Sequence, residues 1–508
     1  MSEFERQHPI AAISRAAGLI RGNLITILVF LFVGAQSDNF PFLWWIGGGF
    51  GFLLATGIVN WWRFLYKLED DTLHIRSGIF VRKDLYLTRD RVQVIDISSG
   101  VLQRLFGLVR LDIQTAGSSS RQAAIDAITV EKAEEINQNL RKQRISDTGE
   151  HTEEEAGTDR SSAPPLIIAM PFKELIIAAS TSGSFGIALS ILGTLFSQAE
   201  PFISDSGFFD FIFGLLPSES DTLMIASVIL LFVLFAWLLS FFGTLFTYGN
   251  FSLELRKDEI IISRGIFEKK RVTIPFNRIQ AVHVTEGLIR QPLGYASIHL
   301  ESAGYGDEKG TGSIVLFPLI HKKSIQHFFR DVLPHCNTEA AGIKPPPRAL
   351  RRYLFRSTLP ALLLAGALYQ FLQFNLLVWI LPILALIWGW LKFRDTALGF
   401  QDDLYIIRSR RFSRSTAYIR RKRIQDATLS ESPFQRFRAL CSFELHVASG
   451  DQGKTFSVRD IEQLHGLGHL SQLKKEHTIH DTQAEEIRTD QIRLPGWMNP
   501  NLSKTIES

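Results

Sequence analysis

The stretch Ile274–Gly287, IPFNRIQAVHVTEG, decides the reading of this chain because two other stretches repeat it. Leu87–Gly100 reads LTRDRVQVIDISSG and Tyr418–Ser432 reads YIRRKRIQDATLSES. Arg278 follows Arg91 by 187 positions (278 − 91), and that offset holds without a gap from Gly78 and Gly265 through Gly107 and Gly294. Arg423 follows Arg278 by 145 positions (423 − 278), which keeps Asp403 for Asp258, Phe412 for Phe267 and Gln425 for Gln280. The third copy departs at Arg410, where the others have glycine, and at Ala439, which replaces Gly294. A recurrence at fixed offset means one structural unit used three times.

Each unit begins with an apolar block. The blocks split into paired segments near the length that crosses a bilayer core of roughly 30 Å as a helix. They run over Leu19–Gln36 and Phe40–Asn60, Glu174–Phe196 and Thr222–Phe246, and Tyr353–Leu372 and Leu376–Leu391. Arg6, Arg15, Arg63 and Lys67 flank the first pair, and Arg351, Arg352, Lys392 and Arg394 flank the third. The turns within the pairs hold no Lys or Arg, so the positive-inside rule places both termini and every large polar segment in the cytoplasm. A net charge of +4 over 508 residues names no partner by itself, and Cys336 and Cys441 form no redox or zinc motif.

Between the blocks, short apolar runs alternate with turn residues, and an amphipathic helix closes each copy. In the first closing helix Ala133, Ile136 and Leu140 share one face. The expected order is hairpin 13–62, domain 63–144, acidic linker 145–165, hairpin 171–247, domain 248–335, Pro-rich linker 336–348, hairpin 350–392, domain 393–476 and tail 477–508. The acidic linker is almost devoid of core-forming residues and is expected to be disordered, and the polar tail is expected to be mobile.

A two-span hairpin followed by SGIF and then R-[VI]-Q resembles the YdbS/YdbT-type bacterial membrane proteins, and the three copies resemble the multi-copy form. That resemblance implies a polytopic α-helical membrane protein, six spans as three hairpins, with three cytoplasmic pleckstrin-homology (PH)-like domains. Each would be an antiparallel β barrel or sandwich capped by a C-terminal helix. It also implies residence in the bacterial inner membrane and makes a single-copy relative a candidate partner.

The repeated pairs Arg91 and Gln93, Arg278 and Gln280, Arg423 and Gln425 admit two roles. Arg offers a planar fork for phosphate or carboxylate, and alternation on a strand puts both side chains on one face. Retention in all three copies favours a shared structural task. The segment ASGDQGKT, Ala448–Thr455, approaches a phosphate-binding loop, but it aligns with the hairpin turns at Ala303 and Ala116 and leads into a strand. His465 and His469 lie one helical turn apart without the glutamate or third ligand of a zinc site. No catalytic constellation, cofactor, metal or nucleic-acid site is expected.

One charge cluster stands out. Arg408, Arg410, Arg411, Arg414, Arg420, Arg421, Lys422 and Arg423 occupy the first strands of copy three with no acid among them. Beside a bilayer such a cluster would attract anionic headgroups by about 1 kcal/mol per residue. The expected function is binding and scaffolding at the membrane, with homo-oligomers allowed. The alternative is a conduit or flippase-like component formed by packed hairpins. Topology reporters fused at Ser146, Lys344 and Ser508 are expected to read cytoplasmic and one at Ser206 external. A cytoplasmic signal at Ser206 would refute the hairpin arrangement.

Overall fold

The computed structural model describes residues 4–22, 42–69, 72–78, 81–89, 92–115, 123–140, 166–203, 221–303, 313–336, 342–371, 376–450 and 453–473. The acidic linker, the tail, Arg91 and most of the first expected span lie outside them. The chain forms two compact units, residues 1–337 with 448–454, and residues 338–447 with 455–508.

In the first unit β1 comes before α1 (Ile10–Gly22) and α2 (Phe42–Arg63), and β2 to β7 follow them. The strands are β1 (Glu5–Arg6), β2 (Leu65–Glu69), β3 (Thr72–Ser77), β4 (Lys83–Thr88), β5 (Val92–Ser99), β6 (Leu108–Thr115) and β7 (Ala123–Thr129). A short helix, α3 (Val101–Leu105), joins β5 to β6, and α4 (Val130–Asn139) closes the domain. Leu73, Ile75, Leu111, Ile113 and Ile125 make the core. Ala133, Ile136 and Leu140 are buried in it, as the one-face spacing requires.

The second domain follows β8 (Leu166–Ala169), α5 (Phe172–Ser180), α6 (Phe185–Ile203) and α7 (Asp221–Tyr248). It contains β9 (Ser252–Leu255), β10 (Glu259–Arg264), β11 (Lys269–Pro275), β12 (Ile279–Glu286), β13 (Tyr295–Ser302), β14 (Ser313–His321) and α8 (Ile325–Val332). All pairing is antiparallel. The two domains share a sheet of order β7-β6-β5-β11-β10-β9-β8, because β5 receives β11 edge to edge. Ser99 faces Lys269, Ser98 faces Lys270, Ile97 faces Arg271 and Asp96 faces Val272.

In the second unit α9 (Leu350–Phe371) and α10 (Ile380–Asp395) precede β15 (Ala397–Gln401), β16 (Leu404–Arg410) and β17 (Arg414–Arg420). Then come β18 (Ile424–Ser430), α11 (Pro433–Arg436), β19 (Leu440–Val447), β20 (Lys454–Glu462) and a closing helix, α12, at residues 463–473. His469 of α12 packs its ring 5.9 Å from Tyr405 and 6.3 Å from Phe443. The ring is half-buried against these core aromatics.

The opening motif has a geometric meaning. In all three domains the strand register slips at the glutamine: between Val92 and Val94, Ile279 and Ala281, and Ile424 and Asp426. Gln93, Gln280 and Gln425 are therefore the extra residues of β-bulges, which bend a strand and raise its twist. In copies two and three a 3-10 turn ending at Arg278 or Arg423 leads into the bulge. The motif thus turns the chain from the first sheet of a domain to the second.

Among the described residues, two helices are long and apolar enough to cross a membrane, Ala226–Tyr248 and Leu376–Asp395. A third candidate is the pair α5 and α6, bent by 51°. The segment expected to run unbroken from Glu174 to Phe196 is therefore two helices. The cause is local: the hydroxyls of Ser180 and Thr181 donate back to the carbonyls of Ile176 and Ile177, and the Ser182 amide bonds Ala179. Such back-bonding bends helices and leaves the Ala178 carbonyl without its regular donor.

Two glycines at equivalent repeat positions bring paired helices together. A Cβ on Gly57 would lie 2.7 Å from the Ala12 carbonyl oxygen, and one on Gly389 2.9 Å from that of Tyr353. The second copy has Thr244 at this position, and its hydroxyl donates to Ser182 at 2.8 Å. Gly389→Ala must force α9 and α10 apart and is expected to cost about 1–3 kcal/mol. Gly366→Ala, where a Cβ meets nothing within 4 Å, is the control. Unfolding of the detergent-solubilised protein reads both, and equal stability of the two variants would contradict the close approach.

Candidate functional site

Each domain meets the base of its own helix pair through one polar side chain, directly in copies one and two and by way of Asp460 in copy three. The residue occupies the same repeat position every time: Gln103, Arg290 and Gln435. In the first domain Gln103 Nε2 donates to Ser14 Oγ of α1 at 3.0 Å, while its Oε1 accepts from the Gly100 amide. Beside it Arg15 of α1 pairs with buried Asp126, which Arg110 also reaches at 3.3 Å. In the third domain Gln435 Nε2 donates to Asp460 at 2.8 Å. Asp460, wholly buried, also takes Arg352 and Arg356 of α9 at 2.9 and 3.0 Å.

The second domain reverses the chemistry. Arg290 donates to Thr181 Oγ1, to the Pro318 carbonyl and to the Ala178 carbonyl, each at 3.0 Å. The last is the carbonyl that the helix break deprives of its donor. Burial lowers the pKa of this guanidinium, although arginine remains charged at any ordinary pH. Trp237 Nε1 caps the next free carbonyl, Ser180, at 3.2 Å. A half-buried arginine from the β domain therefore completes a broken helix.

The residue just before each grip is apolar and exposed: Leu102, Ile289 and Phe434. The flanking side chains are also bare, with Leu105 77%, Leu293 53% and Phe437 89% exposed. Scattered exposed apolar residues are ordinary, but here apolar turns recur at one position in all three domains. A cleft of about 500 Å³ opens where β5 meets β11, lined by Arg264, Lys269, Lys270, Arg271, Ser98 and Asn250 among others. Asn250 follows α7, and the SGIF loop lies against that helix end. The Gly265 amide bonds Gly249, the Ile266 amide bonds Phe246, and the Phe267 ring sits 4.6 Å from Phe246. Gly265, at φ +106°, admits no side chain, since a Cβ would lie 1.9 Å from the Glu268 carbonyl.

The arginine cluster of copy three is divided. Arg410, expected to face anions, is buried and pairs with Asp395 at the end of α10 at 2.5 Å. Arg414 adds a contact to the same carboxylate at 3.6 Å. That ion pair does in copy three what the Gly249–Gly265 backbone contact does in copy two, which explains why the glycine is absent. Arg421 donates to the Gln472 carbonyl of the closing helix. Arg408, Arg420 and Arg423 are half-buried, and burial lowers the pKa of Arg420, with Arg423 adding to the shift. Arg411 and Lys422 are exposed. Of the repeated pair, the Arg278 carbonyl accepts from Gln280 Nε2 and the Ala303 amide, both at 3.2 Å, whereas Gln425 is exposed. Sequence reasoning missed Arg290, Asp126 and Asp460; only alignment of the repeats at Gln103 would have flagged the position.

A model of the bacterial PH domain matches residues 12–144, 208–333 and 358–474. The chain is 36% identical to the UPF0699 transmembrane protein YdbT of Bacillus subtilis (strain 168) over 476 residues, 91% of this chain and 96% of that protein. It is 27% identical to the UPF0699 transmembrane protein YdbS of the same organism over 135 residues, 24% of this chain and 82% of that protein. No solved structure matches it.

Arg290→Ala leaves the Ala178 carbonyl and the Thr181 hydroxyl without their donor and is expected to cost about 2–4 kcal/mol. Arg290→Gln, which restores the side chain of the other two copies, is expected to recover part of the loss. Unfolding of the full-length protein in detergent measures both. A wild-type stability for Arg290→Ala would show that the grip contributes nothing.

Proposed function

Because the chain belongs to the bacterial PH domain family, we propose that it is a membrane-anchored scaffold. It holds three PH-like domains against the inner face of the cytoplasmic membrane and offers them to anionic lipid headgroups and a protein partner. Six spans as three hairpins, with domains over 63–144, 248–335 and 393–476 on the cytoplasmic side, belong to this reading. The apolar helices and the bias of Lys and Arg toward the domain side support them.

The observation that carries the reading is the apolar turn placed beside the helix base in every domain. A turn gripped there reaches the headgroup layer, where aromatic and aliphatic side chains leave water while neighbouring bases meet phosphate. The cleft bases Lys269 and Arg271, with exposed Arg411 and Lys422 of the third domain, are the proposed headgroup contacts. Three such contacts on one chain act together, so weak individual sites hold the surface firmly. The Arg–Gln pairs are assigned to the sheet corner and not to a ligand.

The second reading, a conduit or lipid-handling component, draws on the broken helix α5–α6, since interrupted spans line transport sites in many carriers. Arg290, Trp237 and Thr244 satisfy that break, which favours the scaffold.

The test uses full-length protein in nanodiscs with a fluorophore on Ile289→Cys or Phe434→Cys and nitroxide-bearing lipids. Strong quenching is expected at both positions and weak quenching at Glu444→Cys. Quenching is expected to rise further with anionic phosphatidylglycerol, and Lys269→Gln with Arg271→Gln to reduce that rise. Unquenched labels at 289 and 434 would sink the membrane-facing assignment.

A further inference from the structure

The first two domains join by a strand edge, and the chain carries both halves of that joint again, unused. β5 lends its edge to β11, and Arg104 of α3 reaches across to donate to the Ile266 carbonyl at 2.5 Å. Shifting by 332 positions (423 − 91) maps β5 onto β18 and Arg104 onto Arg436. Among the described residues β18 is the outer strand of its sheet, β18-β19-β20, and Arg436 extends from the next turn with its side chain 75% exposed. Shifting back by 187 maps β11 onto β4. β4 is likewise outermost in β1-β2-β3-β4, with Lys83, Asp84 and Tyr86 exposed.

We propose that β18 docks the β4 edge of a second copy of this chain, antiparallel, in the register by which β5 takes β11. The inference rests on the scaffold reading and names its partner. An unpaired edge presents a row of free amides and carbonyls, which is a template for another strand. The transferred register sets Arg82 opposite Glu431 and Lys83 opposite Ser430. The facing charges are Glu431 and Arg82, each of which holds a neighbour of opposite sign within its own copy, Arg436 at 3.9 Å and Asp84 at 3.5 Å, and would exchange it across the joint.

The partner is a second copy on two grounds. Its β4 is the strand whose sequence fits this register and charge. The β5–β11 joint also unites two domains that each sit on their own helix pair. Repeating that joint between copies keeps the new helices in the same membrane. The contact is head to tail, since the surface given differs from the surface received.

Two differently tagged full-length copies, one with Lys83→Cys and one with Ser430→Cys, are co-expressed and oxidised in native membranes. Facing residues of an antiparallel pair lie about 4.5–5.5 Å apart between Cα atoms, within the range a disulfide spans. A product carrying both tags is expected from that pair and not from Lys83→Cys with Gln425→Cys. Adding Glu431→Lys is expected to lower the yield about threefold or more, and adding Arg82→Glu as well to restore it. No product from the in-register pair, equal products from both pairs, or failure of the charge swap to restore the yield would each overturn the proposal. Lipid quenching at position 434 in the same variants separates the two readings. Quenching without cross-linking refutes the docking alone, and loss of quenching refutes the scaffold beneath it.

Discussion

The architecture depends on the burial of charge at the foot of each helix pair. Moving an ionised group out of water is expensive unless partners replace its hydration. Asp126 and Asp460 meet this with arginines from the preceding helix, and Arg290 meets it with carbonyls and a hydroxyl. A domain gripped in this way is oriented by directional bonds and not merely tethered. Its exposed apolar turn, one residue away, therefore takes a fixed position beside the helices.

Three copies of one unit solve the same problem with different chemistry, and the differences are coupled. Where copies one and three bring a carboxylate from the domain and arginine from the helix, copy two brings arginine from the domain. It meets a helix whose own serines and threonine have broken it open. Where copies one and two need glycine in the SGIF turn, copy three extends β16 to Arg410 and anchors it on Asp395. Each substitution removes one anchor and supplies another, so the position survives while the residue changes.

The joint between the first two domains has the same economy. A continuous sheet satisfies the edges of β5 and β11 together, and Lys270 reaches the buried carboxylate of Asp96 at 3.5 Å across it. Edges left unpaired invite association, and natural sheets blunt them with charge. β4 is blunted by exposed Lys83 and Asp84, and β18 by exposed Asp426.

The sequence alone determined the threefold repeat, the alternation of apolar pairs with strand-rich domains and the closing helices, with Ala133, Ile136 and Leu140 on their inner face. These are periodicities, and periodicity is a property of one dimension. It also marked Arg278 and Gln280, although only the strand register showed the glutamine to be a bulge that turns one sheet into the next. Only tertiary structure decided that Arg410 is an internal ion pair and not part of a basic surface, because its partner Asp395 lies fifteen residues away. The same holds for Gln103, Arg290 and Gln435, whose partners lie 89, 112 and 25 residues away on α1, α5 and β20. A charge run in sequence counts charges; whether they face solvent is set by which acids the fold brings against them.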